Sequence, residues 1–183
     1  MQLKTLLAIV SVGLLTSVTV LPAEESVPEP DDYRTENYRA PVPATLKGAL
    51  VIDTDQAELL LKGGEAIFID VYPQAPKPPS LPKSTVWRTP KHTTIKGAYW
   101  LANVGYGVMN PKFESYFREH LARLTSGDKK RPLVFFCLRD CWMSWNAAKR
   151  AVEWGHDHVI WFPDGTDGWR DWNLPTELKT PEE

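Results

Sequence analysis

The chain has 183 residues, 43% hydrophobic and 24% charged, with a formal charge of −2 at pH 7. That composition suits a globular protein with one well-buried core, and a single domain is the default. The balance of charge leaves no basic footprint, so nucleic acid is excluded as a partner.

In chain order, Lys4 precedes an uncharged run from Thr5 to Pro22, and Ala23 stands before Glu24 and Glu25. This pattern predicts a signal peptide over 1–23, cut after Ala23, and so an exported, periplasmic protein. No later stretch approaches the roughly 20 apolar residues of a membrane span. Residues 24–45 are rich in Pro, Glu and Asp and read as an extended or poorly ordered leader. The folded domain is expected over 46–178.

Ala49 to Ile52 reads as a short strand. Asp55 with Glu58 then forms a capping-box pattern for a helix ending at Gly63 and Gly64. Ala66 to Val71 follows as a buried strand. Residues 73–90 hold Pro73, Pro76, Pro78, Pro79, Pro82 and Pro90, which forbids a central strand and predicts a long surface loop. Ala98 to Leu101 resumes as strand. Asn110 and Pro111 open a helix whose Phe113, Phe117, His120, Leu121 and Leu124 share one face, and Gly127 with Asp128 ends it. Leu133 to Phe136 is the clearest central strand and runs into Cys137. A helix follows over Ser144 to Trp154, then a last strand over His158 to Phe162. Pro163 to Gly168 is turn material before a short aromatic helix around Trp169 and Trp172. The alternation predicts an α/β fold, a doubly wound parallel sheet with helices on both faces, in which sites lie at the carboxyl ends of strands.

Cys137 and Cys141 are the two cysteines of the sequence. The loop they could close is too short to stabilise the fold much by restricting the unfolded chain, so local chemistry is the better reading. A cysteine between a strand and a helix faces backbone N–H groups and the positive end of the helix dipole, and Arg139 adds charge to the same loop. These favour the thiolate, the nucleophilic form. Cys141 is placed to resolve an adduct on Cys137; a structural disulfide is the competing reading. Four residues of separation put the backbone positions about 6 Å apart if helical, with side chains that a regular helix would keep from meeting. A disulfide therefore needs an irregular turn and is expected to be readily reduced.

From Leu46 to Pro175 the motifs resemble the rhodanese family. The likeness rests on Phe68 to Val71, on Ile95 to Ala98, on Phe136 and Cys137, on Ala147 and Ala148, and on Gly168, Trp169, Leu174 and Pro175. It implies a rhodanese-like fold, with Cys137 matching the persulfide-carrying cysteine and Asp70 the acidic residue closing the second strand. Tyr72, Thr94 and Asp140 depart from the family pattern, standing where an arginine, a histidine and a glycine are usual. The loop is one residue longer, as in the phosphatase branch of the fold. Met143 replaces the arginine that a phosphatase needs for its phosphate.

The run Cys137, Leu138, Arg139, Asp140, Cys141, Trp142, Met143 is similar to a smaller rhodanese-like group, named for pyrroloquinoline quinone (PQQ)-dependent catabolism and a Cys, Cys-Trp motif. That resemblance implies a periplasmic accessory to PQQ-dependent alcohol oxidation. Cys137, Cys141, Arg139 and Asp70 are then the candidate catalytic residues, and Leu138, Asp140, Trp142 and Met143 the candidate binding residues of the loop. The chemistry expected is sulfur transfer or thiol–disulfide exchange with a small sulfur donor or thiol. The alternative is a non-catalytic module that docks a PQQ-dependent dehydrogenase or its cytochrome. No cofactor or metal is expected: His156 and His158 have no third ligand spaced with them, and Asp164 to Gly168 lacks the ligand pattern of a calcium loop. Trp142, Trp145, Trp161 and Trp169 are expected mainly in core packing.

Overall fold

The computed structural model describes residues 27–88 and 90–183, so the expected signal peptide lies outside the described residues. Five strands, β1 (Leu50–Val51), β2 (Ile67–Asp70), β4 (Tyr99–Trp100), β5 (Leu133–Phe136) and β6 (Val159–Phe162), form one sheet in the order β1-β6-β5-β2-β4. Every pairing in it is parallel. Two further strands, β3 (His92–Ile95) and β7 (Thr176–Lys179), make a separate antiparallel pair.

Helices cover both faces of the main sheet, as doubly wound folds require. Successive strand residues point to opposite faces. Ile67, Ile69, Leu133, Phe135, Val159 and Trp161 join α2 (Pro111–Thr125) and α3 (Trp142–Glu153) in one core layer. Phe68, Val134, Phe136, Ile160 and Phe162 join α1 (Thr54–Gly63) and α4 (Gly165–Asp171) in the other. The central strands are buried along their whole length, which explains their continuous apolar runs. The expected α/β fold class is the observed one.

The helix ends follow local chemistry. In α1 the capping box is formed by Asp53 and Gln56, two residues earlier than the Asp55–Glu58 pattern, and Gly64 ends the helix in the left-handed conformation. Asn110 caps α2 by accepting from Lys112 N, with Pro111 in the first turn as expected. Helix α3 starts at Trp142, two residues before the predicted Ser144, and α4 already begins at Gly165, inside the stretch read as a turn.

The leader is extended but not loose. Residues 27–45 run as a strap over α3. Trp142 N donates to Tyr38 O at 2.9 Å and Ala40 N to Asp140 O at 3.1 Å, while the indoles of Trp142 and Trp145 donate to Pro41 O and Thr45 O. Asn146 locks the strap, accepting from Arg34 N at 3.0 Å and donating to Arg34 O at 2.8 Å and Gly105 O at 2.9 Å. The few apolar residues there fit an extended or poorly ordered segment; the strap is extended, and its backbone pairs with polar groups of α3 and of the loop before it. With the sheet on one side and the strap on the other, α3 is buried nearly all round.

Candidate functional site

Strand β5 ends at Phe136, and the chain passes through Cys137, Leu138, Arg139 and Asp140 before α3 begins. Two segments clamp this loop. On one side Leu138 bridges Gly165, and Thr166 N donates to Cys137 O at 2.9 Å. Gly165 has φ +54°, and a Cβ there would collide with the Cys137 carbonyl, so the close approach requires glycine. On the other side Arg39 of the strap bridges Cys141.

Cys137 and Cys141 form a disulfide with a Cα–Cα separation of 6.1 Å. The turn that allows it is irregular, as expected: Asp140 stands at φ 54°, in the left-handed region that side chains rarely adopt. Both cysteines are buried, Cys137 at 1% and Cys141 at 3% exposure. Cys141, rather than Cys137, is the N-cap of α3, and its side chain makes no capping hydrogen bond. The helix dipole therefore acts on a Cys141 thiolate at least as directly as on Cys137.

The expected anion-binding amides are largely engaged elsewhere. Arg139 N donates to Asp167 Oδ2, Trp142 N to Tyr38 O, and Ser144 N to Cys141 O. The Arg139 guanidinium turns to α4, where it donates to Asp171 Oδ2 at 2.7 Å and approaches Asp164 at 3.5 Å. The pairing with Asp171 holds its pKa above the ordinary arginine value. Its charge is matched by carboxylates instead of being left for the thiols, which corrects the role expected of Arg139. Trp142 and Met143 are both buried in the core with the disulfide, and Leu138 is half-buried. Trp145, Trp161 and Trp169 pack in the core as expected.

Asp70 belongs to a different place. It lies two residues from Phe68 and so shares that residue's side of β2, whereas Ile69, Val71 and Cys137 pack in the α2/α3 layer. The structure thus does not bring Asp70 to the cysteines. Wholly buried, its carboxylate accepts from Tyr72 N at 2.8 Å and Thr94 Oγ1 at 2.6 Å, and meets His92 Nε2 at 2.8 Å. Thr94, read as a departure from the family, is therefore an Asp70 partner. His92 was not singled out by the sequence. The signal was there, since His92 and Thr94 share a face at the two-residue strand period, but β3 pairs with β7 some 80 residues away. Tyr72 stacks on the His92 ring at 4.3 Å, and Trp100 lies 5.0 Å from it. A pocket of about 380 Å³ opens above, lined by Tyr72, Lys91, His92, Trp100, Leu138 and Arg170 among others.

Among the described residues no cluster of histidines, cysteines and carboxylates has the make-up of a metal site, and no helix is long and apolar enough to cross a membrane.

No protein-family model matches this sequence. No curated protein matches it significantly either. Among solved structures, the chain is similar to an anaerobic ergothioneine biosynthesis enzyme from Chlorobium limicola in complex with trimethyl histidine. The identity is 20%, the TM-score 0.50, and the match covers 78% of this chain and 34% of the enzyme's. A C339A/C370A variant named EanB, with hercynine, matches at 19% identity and TM-score 0.50 over the same shares. A polysulfide-sulfur transferase homodimer from Wolinella succinogenes gives 19% identity and TM-score 0.41, over 71% of this chain and 79% of the transferase. The chain spans about a third of the length of the first two proteins. Likeness at these identities concerns the fold alone, an α/β domain built on a mainly parallel sheet.

Proposed function

We propose that this chain is a rhodanese-like sulfur-handling protein in which Cys137 takes a sulfur atom and Cys141 resolves the product. The observation that carries the reading is the Cys137–Cys141 disulfide at the carboxyl end of the central strand, in the loop before α3. In the reduced chain the Cys137 thiolate attacks the outer sulfur of a donor such as thiosulfate, forming a Cys137 persulfide and releasing sulfite. The Cys141 thiol then attacks the Cys137 sulfur, hydrogen sulfide leaves, and the disulfide remains until a dithiol reduces it. With Arg139, Trp142 and Ser144 amides committed elsewhere, the persulfide is weakly held and resolution by Cys141 is its natural fate. Export to the periplasm and service to PQQ-dependent alcohol oxidation, with a dehydrogenase or its cytochrome as partner, belong to the same proposal.

Mass spectrometry of reduced protein after exposure to thiosulfate tests it. Cys141→Ser is expected to accumulate one added sulfur on Cys137, while the natural chain returns to the disulfide. No gain in Cys141→Ser, or equal gain in Cys137→Ser, overturns the reading.

A further inference from the structure

We propose that the pocket above Asp70 and His92 binds a small aromatic acid, with Lys91 and Arg170 taking its anionic group and Tyr72 and His92 forming the wall for its ring, backed by the buried Trp100. This site lies beyond the thiol chemistry and does not depend on it.

Charge is the first argument. Lys91, His92 and Arg170 line the pocket and no carboxylate does, because Asp70 is wholly buried with both oxygens already engaged. Among the described residues neither Lys91 nor Arg170 forms an ion pair, whereas Arg139 on the adjoining loop is matched by Asp164 and Asp171. Two unmatched cations beside a concave surface favour an anion, and the charge-assisted hydrogen bonds they offer are the stronger kind.

Shape is the second. The volume, about 380 Å³, falls within the range of small-molecule sites. The wall is preorganised: Tyr72 and His92 stack with ring planes 9° apart, Trp100 Nε1 donates to Tyr72 O at 2.8 Å, and Asp70 fixes the imidazole from below. A rigid aromatic wall accepts a flat ring at little entropic cost. Position is the third, since β2, β4 and β5 all direct their carboxyl ends here, where open α/β sheets bind ligands. A buried His–Asp pair serving only as a brace would need neither the unmatched cations nor the open pocket.

The test is a titration of the full chain with benzoate, and with benzamide as its uncharged counterpart, followed by the indole N–H resonance of Trp100, assigned through Trp100→Phe. Saturable benzoate binding at about 1 mM or tighter is expected. The double substitution Lys91→Gln, Arg170→Gln, at two exposed positions, should weaken benzoate about tenfold and leave benzamide unchanged. Equal affinity for benzoate and benzamide, an unchanged double variant, or no saturation by about 20 mM benzoate would each overturn the proposal.

Discussion

His156 is 4% exposed, and its Nε2 lies 3.0 Å from Lys129 Nζ. An ammonium only donates, so Nε2 accepts and the proton sits on Nδ1, which has no partner among the described residues. Burial first, and the Lys129 charge second, push its pKa down from 6.5 to about 4, against a weaker pull from Asp157. A depressed histidine pKa means the unfolded chain binds the extra proton first. The neutral form's contribution is therefore complete above pH 6.5 and is lost as the pH falls through about 4. Urea unfolding at pH 7 and pH 4 should show His156→Gln losing less stability between the two than the natural chain, by roughly 3 kcal/mol at most. Equal losses would show that His156 does not titrate in this window. At this scale the sequence revealed residue types better than environments. His156 and His158 alternate around Asp157 in a polar turn, and nothing in Gly155–His158 announces the burial of His156 against Lys129. Asp140 stands in the left-handed conformation, a backbone state that the residue type alone does not announce.

Helix α3 and the strap are joined by backbone and side-chain hydrogen bonds, and the strap bridges Cys141 at the disulfide. The sequence shows α3 as a helix but not what covers it, because residues 27–45 carry too little apolar pattern to predict docking. Backbone groups and the Asn146 amide hold the strap down, and such partners leave no periodic trace. For the same reason β3 and β7 escaped notice: four residues apiece, they are stable only through a pairing remote in sequence. Strands β2, β5 and β6, buried on both faces, were plain as apolar runs. Asn146 is wholly buried and serves Arg34 and Gly105, so Asn146→Ala leaves those backbone groups without partners, at a cost of about 2 kcal/mol. The loosened strap should also uncover Cys141. Reduction of the disulfide by dithiothreitol, followed by thiol alkylation, should run faster in Asn146→Ala than in a control such as Ile160→Val. That control loses a methyl group in the opposite core layer. Equal rates in the two variants would mean the strap does not control access.

Across the whole molecule, the parallel sheet places the disulfide and the Asp70–His92 pair on opposite sides, although the resemblance assigned Cys137 and Asp70 to one candidate set. Family resemblance put Cys137 and Asp70 in one candidate catalytic set, and chain order makes that natural, since both residues end neighbouring strands. Side-chain alternation decides otherwise: Cys137 packs with α2 and α3, while Asp70 faces His92 and Thr94 of the small sheet. The two sides are connected by the β2–β5 ladder, by Leu138, which follows Cys137 and also lines the pocket, and by Thr166, a pocket residue whose amide and hydroxyl both donate to Cys137 O. Residues without shared partners contribute nearly independently, so perturbing one side should leave the other close to unchanged. Replacing His92 by Gln removes one ring of the aromatic wall and the stacking partner of Tyr72 while leaving Asp70 a hydrogen-bond donor, and it should impair benzoate binding. The rate at which thiosulfate adds sulfur to Cys137 in the Cys141→Ser background should then stay within about twofold, which is below 0.5 kcal/mol. Conversely, Cys137→Ser with Cys141→Ser should leave the benzoate affinity intact. A fall of about tenfold or more in sulfur uptake on His92→Gln, with the fold preserved by circular dichroism, would show that Asp70 and His92 serve the thiols across the sheet and that the two sites are one.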